Sequence, residues 1–241
     1  MARQQMDHAT EGKPRLEVSP AESGYYLGAS GCHYFDWQNQ NAASAGRIEA
    51  RKFRMHIKPT DAVLDFGCGG GHILRSLQCA RRVGIDVNPA AREATRRAGI
   101  ECYESVAELP DSSFQVVISN HALEHVESPI SVLRALYFKL TASGLLILYL
   151  PIDDWRTQSS YQVEDRNHHL HTWTPQLLGN TFCEAGFAPD GFSIRVLTHA
   201  LFPGAAKLYG RLPEPAFDAI CGIFATAAKR RQLFAVARRQ P

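Results

Sequence analysis

AVLDFGCGGG, at residues 62–71, joins a short apolar run to a turn built largely from glycine. The run is short and partly β-branched, as a buried strand is, and HILRSLQCA (72–80) after the turn has the apolar spacing of a helix. Glycine adopts positive φ angles and lets a ligand approach the backbone without meeting a Cβ atom. We therefore expect a ligand at this strand-to-helix turn, beyond the carboxyl end of the strand, where open α/β sheets bind their ligands.

The same alternation of short apolar runs and helical segments continues along the chain. Short buried runs joined by helices are typical of parallel strands with both faces covered, so the pattern predicts a doubly wound α/β fold. The further predicted strands are RVGID (82–86), IECY (100–103), FQVVISN (114–120), GLLILYLP (144–151), GFSIRVL (191–197) and QLFAVAR (232–238). The further predicted helices cover 88–99, 128–140, 174–186 and 216–229.

The pattern also predicts one domain behind a loose N-terminal arm. Residues 1–22 are polar and rich in turn formers, which favours a flexible arm. Residues 23–45 are aromatic but irregular, and are either a lid over a pocket or an ordinary packed extension. GRIEARKFRMHIKP (46–59) has the spacing of an amphipathic helix that Pro59 ends. We divide the domain 23–241 into a lid with helices (23–58), a ligand-binding core (60–151) and a substrate-side part with the terminal strands (152–241).

The composition is ordinary for a globular protein. The chain has 241 residues, of which 45% are hydrophobic and 21% charged, and its net charge is +2. So small a positive excess argues against a dedicated nucleic-acid-binding protein. The six cysteines follow no CxxC spacing, which favours reduced thiols. Because the sequence also lacks a signal-peptide core and an apolar run near the roughly 20 residues that span a bilayer, we expect a cytoplasmic protein.

The glycine turn excludes two common nucleotide sites. A phosphate-binding loop ends in Gly-Lys-Ser/Thr, and the chain has His72 after its last turn glycine. A dinucleotide fingerprint needs its third glycine where His72 stands. Asp86 ends the second predicted strand, and a carboxylate there can accept both ribose hydroxyls of a nucleoside. Together, the glycine turn and Asp86 predict a nucleoside ligand without a pyrophosphate. The alternative is a plain turn with a helix-capping aspartate.

With these motifs the sequence resembles the class I S-adenosylmethionine-dependent methyltransferases over about residues 45–200. The resemblance implies a Rossmann-like, seven-stranded sheet whose last strand, 232–238, is antiparallel, and S-adenosylmethionine as the cofactor. It indicates the fold and the cofactor rather than the substrate. The segments that carry it are VLDFGCGGGHIL, GIDVNPAA, ELPDSSFQVVISNHALEHV, LTASGLLILYLP and HHLHTWTPQLLGNTFCEAGF.

The resemblance also implies cofactor-binding residues. The loop Asp65, Gly67, Cys68 and Gly69 would surround the methionine part. The residues assigned to the nucleoside and the sulfonium are Asp86 for the ribose, Val87 against the adenine, Ser105 and Val106 near the adenine amino group, and Asn120 at the start of the segment under the sulfonium. Arg47 or Arg51 is either a partner of the methionine carboxylate or a solvated helix residue.

Two groups of histidines need separate treatment. His121, Glu124 and His125 fit the H-x-x-E-H string of some zinc peptidases, but that arrangement needs a helix, and here a turn after a strand is predicted. We therefore expect no metal. His169 lies in a polar loop after the fifth strand, where a neutral imidazole could take the proton of a hydroxyl acceptor. Its alternative is a structural histidine bonded to a backbone carbonyl.

The expected activity is methyl transfer from S-adenosylmethionine to a small-molecule or glycan-type acceptor, with a hydroxyl favoured over an amine. A nucleic-acid acceptor is disfavoured, because Ser-Asn-His-Ala at 119–122 lacks the Pro-Pro-aromatic step that stacks a flipped base. Aromatic residues that could wall the acceptor site are Tyr25, Tyr26, Tyr34, Phe35, Trp37, Trp155 and Trp173.

Three alternatives remain open at this point. The first is a non-catalytic member of the fold that acts through a partner, and the second is a nicotinamide dehydrogenase. The third is a membrane-associated enzyme, because residues 200–241 hold seven lysines and arginines against two acidic residues and could form a basic amphipathic helix. A terminal strand with solvated charges is the favoured interpretation of that tail.

Overall fold

A single seven-stranded sheet organises the computed structural model, which describes residues 24–154, 156, 158–162, 165 and 167–241. The strand order is β3-β2-β1-β4-β5-β7-β6, and β7 runs antiparallel to both of its neighbours while the other pairs are parallel. This confirms the predicted doubly wound fold. The strands are β1 (Ala62–Phe66), β2 (Arg81–Ile85), β3 (Glu101–Tyr103), β4 (Phe114–Asn120), β5 (Leu140–Ile152), β6 (Phe192–Leu197) and β7 (Arg231–Arg238).

The crossover helices begin where the sequence provides a polar cap followed by proline. Asn88, Ser128 and Thr174 each accept a backbone N–H at the start of a helix, and each is followed by a proline in its first turn. The helices are α1 (Gly28–Glu49), α2 (Arg51–Arg54), α3 (His72–Arg75), α4 (Pro89–Arg97), α5 (Pro129–Lys139), α6 (Pro175–Ala185), α7 (Ala205–Leu208) and α8 (Glu214–Ala227).

Apolar side chains cover both faces of the sheet. Val63 and Leu64 are neighbours on β1 and belong to different core clusters, because successive strand residues point to opposite faces. One cluster packs against α5 and α6, and the other against α2 and α3. Since β1 pairs with β2 on one side and β4 on the other, the strand order reverses beside β1 and opens a crevice at its carboxyl end.

The N-terminal segment differs from its prediction. Residues 28–45, expected to be irregular, form most of the 22-residue helix α1, and the helix predicted over 46–59 is the end of α1 followed by α2. The sequence of α1 is poor in strong helix formers, but tertiary contacts hold the helix in place: Asn88 Nδ2 donates to Gly31 O at 2.8 Å, and His72 Nε2 lies 2.7 Å from Asn39 Oδ1. The predicted arm over 1–22 lies outside the described residues.

The C-terminal tail ends in a strand, as favoured, and does not form one basic amphipathic helix. β7 pairs with β5 along its whole length, from Arg231 to Arg238. The helix before it, α8, is acidic, and its Asp218 accepts from Arg51 at 2.6 Å. Within the described part of the chain, no helix is both long enough and apolar enough to cross a bilayer.

We expect Leu233→Ala to lower the free energy of unfolding by about 2–5 kcal/mol, because the side chain is fully buried between β5 and β6. Its register partner Val196 is 47% exposed on the outer strand, so Val196→Ala should cost under about 1 kcal/mol. Urea unfolding of both variants measures the difference. Equal losses of unfolding free energy in Leu233→Ala and Val196→Ala would contradict a core position for β7.

Candidate active site

The glycine turn after β1 has the backbone that only glycine adopts easily. Gly67, Gly69 and Gly71 have φ angles of +77°, +52° and +71°. A Cβ atom on Gly67 would come within 2.3 Å of the Cβ atom of Ala122, which lies in the segment after β4. The turn is therefore left-handed at three positions and closely packed against its neighbour at the first of them.

Asp86 ties this turn to the end of β2. Its Oδ2 accepts the backbone N–H of Gly69 at 2.8 Å, and its Oδ1 accepts that of Asn88 at 2.9 Å. Burial raises the pKa of Asp86, while the two backbone donors and Arg92 oppose the rise. Each carboxylate oxygen keeps a further lone pair, so the group can still accept hydrogen bonds from a ligand.

A cavity of about 1010 Å³, part of it open solvent, lies between the glycine turn and Asp86. We call it the loop cavity. Predicted site residues that line it are Gly67, Asp86, Val87, Ser105 and Val106. Its remaining walls are mainly apolar and aromatic. They come from α1 and the turn before it, the ends of β1, β2 and β3, α4 with its cap, α5 and the segment after β4: Tyr26, Tyr34, Phe35, Gln38, Phe66, Ile85, Asn88, Ala91, Glu104, His121, Ala122, His125, Val126, Val132 and Ala135.

The other predicted cofactor residues, Asp65, Cys68, Gly69 and Asn120, are not among the described residues that line the loop cavity. Asp65 is buried, its Oδ2 meets no hydrogen-bond partner among the described residues, and burial together with nearby Asp86 raises its pKa to about 8. The Cys68 thiol faces Cys102, with 3.7 Å between the sulfur atoms. Asn120 Oδ1 accepts from Lys52 Nζ at 3.3 Å. Such an unpartnered buried carboxyl beneath an open cavity fits a cationic ligand group.

The two arginines proposed for the methionine carboxylate lie elsewhere. Arg47 and Arg51 line a separate hollow with His72 and Arg75. Arg51 bonds to Asp218 in α8, which holds its guanidinium away from the loop cavity. Sequence spacing along one helix could not reveal this pairing, because its partner is more than 160 residues away.

A second cavity adjoins the first on the side of β5. We call it the histidine cavity; its volume is about 1420 Å³, again including open solvent. Among the described residues, four line both cavities: Tyr34, Gln38, His121 and His125. Further residues of the histidine cavity are Trp37, Glu49, Lys52, Glu124, Pro151, Ile152, Asp153, Asn167, His169, His199, Ala200, Leu201, Arg230, Arg231 and Gln232.

The aromatic residues predicted to wall the acceptor site lie in several different surroundings. Tyr26, Tyr34 and Phe35 line the loop cavity, and Trp37 lines the histidine cavity. Trp173 is wrong as a wall residue, because it is 2% exposed within the core cluster under α5 and α6. The ring of Tyr25 stacks on that of His168 at 4.3 Å, and Trp155 lies outside the described residues.

His169 is paired with a carboxylate in the histidine cavity. Its Nδ1 lies 2.8 Å from Asp153 Oδ2, and both side chains are largely buried. Burial lowers the pKa of His169, but the hydrogen bond and the charge of Asp153 outweigh it, and the net pKa is raised. Asp153 was not among the sequence-predicted site residues; its position at the end of β5 was the available signal.

The H-x-x-E-H segment forms a single 3₁₀ turn, Leu123–His125, in place of the helix that the zinc-peptidase arrangement needs. Glu124 is fully buried, and burial raises its pKa to about 8. Its Oε1 lies 3.8 Å from His121 Nδ1 and 3.9 Å from His125 Nε2. The tertiary fold therefore brings these side chains close to His169, and the H-x-x-E-H motif alone does not predict this arrangement.

The seven-stranded fold is that of the class I S-adenosylmethionine-dependent methyltransferases. Residues 38–190 match the family model described as a methyltransferase domain, and the chain belongs to that family. The alternative of a nicotinamide dehydrogenase is therefore wrong.

Relatives and solved structures agree with this membership. The chain is 38% identical over 82 residues to an uncharacterised methyltransferase of Schizosaccharomyces pombe, which covers 30% of this chain and 32% of the relative. It is 40% identical over 91 residues to a ubiquinone biosynthesis O-methyltransferase of Hahella chejuensis, covering 32% and 37%. The chain thus spans about a third of each of these two relatives.

The fold is shared with solved structures of low sequence identity. A SAM-dependent methyltransferase of Archaeoglobus fulgidus superposes with a TM-score of 0.59 at 18% identity, covering 86% of this chain and 99% of that one. A Thermotoga maritima structure described as a SAM-dependent methyltransferase and possible histamine N-methyltransferase gives 0.60 at 14% identity with the same coverage. At such identities the likeness is one of fold.

We expect Gly67→Ala to destabilise the protein more than Gly99→Ala. Both glycines have a φ angle of +77°, but a Cβ atom meets Ala122 at position 67 and nothing within 4 Å at position 99. Gly99→Ala should cost about 1–2 kcal/mol of backbone strain, and Gly67→Ala a further 1–3 kcal/mol or so from overlap. Urea unfolding measures both. If Gly67→Ala lowers the free energy of unfolding no more than Gly99→Ala does, the turn can move to avoid the overlap with Ala122.

We also expect Asp65→Asn to flatten the pH dependence of stability. The folded pKa of Asp65 is raised to about 8, against about 3.9 unfolded. Between these values the native state holds a proton that the unfolded state has lost, so its stability falls as pH rises. The asparagine variant carries no such proton, and its free energy of unfolding should fall less steeply from about pH 5 to 8. Urea unfolding at each pH measures these free energies. Equal slopes of the free energy of unfolding against pH in the two proteins would contradict a neutral Asp65.

Proposed function

We propose that this protein transfers the methyl group of S-adenosylmethionine to a hydroxyl group of a small-molecule or glycan-type acceptor. The observation that carries the proposal is the pair of adjoining cavities, with Tyr34, Gln38, His121 and His125 in the walls of both. Methyl transfer from a sulfonium is an in-line displacement, so donor and acceptor must meet across a short gap. A shared wall supports a cofactor in the loop cavity and an acceptor in the histidine cavity.

The cofactor is proposed to lie with its nucleoside along the end of β2. Asp86 would accept the ribose hydroxyls with the lone pairs left by its two backbone donors. Val87 and Val106 offer apolar contact to the adenine, and Ser105 lines the cavity at its amino group. The methionine part would cross the turn formed by Gly67, Cys68 and Gly69, with the Asp65 carboxyl toward its ammonium group and Asn120 at the start of the segment below the sulfonium.

His169 is the residue that we propose to take the acceptor proton. Since a carboxylate only accepts, Asp153 fixes the proton of the neutral imidazole on Nδ1 and leaves the Nε2 lone pair for the acceptor. The hydroxyl oxygen would then attack the methyl carbon as its proton passes to Nε2.

The polar walls of the histidine cavity favour an acceptor with several hydroxyl groups. Lys52 binds Glu49 and also donates to Gln232 Oε1 at 3.5 Å, and His121 Nε2 lies 3.3 Å from that same oxygen. Such donors and acceptors suit a polar acceptor better than a lipid chain. A nucleic-acid acceptor is disfavoured by the net charge of only +2. We place this activity in the cytoplasm, as the sequence suggests.

A non-catalytic member of the family that binds a partner is the alternative. Such a protein needs no second cavity beside its cofactor site, and here the histidine cavity opens next to the loop cavity. Incubation with labelled S-adenosylmethionine and a panel of phenols, diols and saccharides tests the two against each other. Label transfer to a hydroxyl supports the enzyme, and no transfer to any acceptor class favours the binding protein.

We expect Asp86→Ala to weaken cofactor affinity by about 1–3 kcal/mol, because it removes a charged hydrogen-bond partner. Calorimetric titration with S-adenosylhomocysteine measures the change. Glu101→Ala removes an exposed carboxylate from the adjacent strand β3 and serves as the control with unaltered affinity. Wild-type affinity in Asp86→Ala would show that the ribose binds elsewhere.

We expect His169→Ala to slow turnover at least about tenfold, within the range of general-base catalysis, and to leave S-adenosylhomocysteine affinity unchanged. His171→Ala is the matched control, because its imidazole bonds to the backbone oxygen of Val126 instead of a carboxylate in the cavity. Label transfer under single-turnover conditions measures the rates. Full activity in His169→Ala excludes a catalytic role for the residue.

A further inference from the structure

Glu124 presents a buried carboxylate without a partner to the histidine cavity. Its side chain is fully buried, and neither Oε1 nor Oε2 meets a hydrogen-bond partner among the described residues. A carboxylate in that position is costly unless it is protonated, paired or bound to a metal. Glu124 is one of the residues that line the histidine cavity.

Three imidazoles lie near this carboxylate among the described residues, and one of them, His121, has its Nδ1 3.8 Å from Glu124 Oε1. His125 Nε2 lies 3.9 Å from Glu124 Oε1, and the ring of His169 lies edge-on to that of His125 with 5.1 Å between their centroids. One ligand atom from each of Glu124, His125 and His169 falls within 4.8 Å of the other two. Metal–ligand bonds of about 2.1 Å set neighbouring ligand atoms about 3–4 Å apart, so small side-chain rotations would complete the geometry.

The opposite nitrogen of each imidazole is already held by a second residue. Nδ1 of His125 lies 2.7 Å from the Tyr26 hydroxyl and 3.4 Å from the His168 carbonyl oxygen, and Nδ1 of His169 lies 2.8 Å from Asp153 Oδ2. A carbonyl oxygen and a carboxylate can only accept, which puts the proton of each neutral ring on Nδ1 and the lone pair on Nε2. Metal-binding histidines are characteristically oriented by such partners.

We infer that Glu124, His125 and His169 bind one divalent first-row transition-metal ion in the histidine cavity. Two imidazole nitrogens and one carboxylate oxygen favour Mn²⁺, Co²⁺ or Zn²⁺ over Mg²⁺ or Ca²⁺, which prefer all-oxygen sites. The site replaces the sequence expectation of no metal. It differs from the zinc-peptidase arrangement because His169, from a loop more than 40 residues away, takes the place of His121.

This inference rests on the proposed function and narrows its acceptor class. Three protein ligands leave positions open toward the cavity, so an acceptor with two adjacent oxygens, such as a vicinal diol or a catechol, can chelate the ion. A bound cation lowers the pKa of a coordinated hydroxyl, whose proton leaves to solvent. The oxygen then bonds to the methyl carbon, the carbon–sulfur bond breaks, and its electron pair stays on sulfur. In this scheme His169 Nε2 binds the metal ion, and the acceptor proton passes to solvent instead of to His169.

The test is direct binding of Co²⁺ or Mn²⁺ to the full chain after treatment with a chelator. We expect one ion per chain, followed by visible absorption for Co²⁺ or by electron paramagnetic resonance for Mn²⁺. Glu124→Gln and His169→Gln should each weaken affinity at least about tenfold, as loss of a metal ligand does. His171→Gln, an imidazole nearby that bonds to a backbone oxygen, should bind like the wild type.

Thermal unfolding separates loss of the site from loss of the fold. Without metal, Glu124→Gln should be about as stable as the wild type, because the amide has nearly the size of the carboxyl and brings no charge into the buried position. Added Co²⁺ should raise the Tm of the wild type and of His171→Gln but not of Glu124→Gln. An equal rise in Glu124→Gln would place the ion elsewhere and overturn the inference.

Activity distinguishes the two proposals. Unaltered cation affinity in Glu124→Gln, with label transfer that persists after chelation, overturns the metal site and leaves the methyltransferase proposal standing. One bound ion that is lost in Glu124→Gln supports the site even if no acceptor is methylated, which would count against the proposed function. Faster transfer to catechol than to phenol, abolished by chelation, supports both.

Discussion

The bonds from Asp86 to the backbone of Gly69 and Asn88 are the constraint on which the rest of the site depends. They join the turn after β1 to the end of β2 at the point where the strand order reverses. With those two segments tied together, the crevice between them becomes a cavity of defined shape, and α1 can close over it. Asn88 contributes again here, because its side chain caps α4 and donates to Gly31 in α1.

Burial of charge is the second theme of the site. Asp65 lies under the glycine turn and Glu124 beside the histidine cavity, and burial raises the pKa of both to about 8. Natural proteins seldom keep unpaired carboxyl groups inside unless a ligand or a metal compensates them. Asp65 precedes the turn proposed to bind the cofactor, and Glu124 lines the cavity proposed for the acceptor, so each buried carboxyl adjoins a proposed ligand site.

Much of the fold was predictable because it depends on local patterns. The seven strands are short apolar runs, and polar residues followed by proline begin α4, α5 and α6. The helix α1 was missed, since its sequence is poor in helix formers and its stability comes from contacts with residues such as Asn88 and His72. Trp173 was misassigned for a related reason: aromatic residues suit a core and a pocket equally well.

The sequence by itself determined the order of the elements, the positive-φ turn and the carboxylate at the end of the second strand, because each rests on neighbouring residues. Tertiary structure alone decided which distant side chains meet. It brought His169 to Asp153 and to Glu124, and it turned Arg51 toward Asp218 and away from the loop cavity. Such pairings follow from how the sheet edge and its helices pack, and no spacing along the chain encodes them.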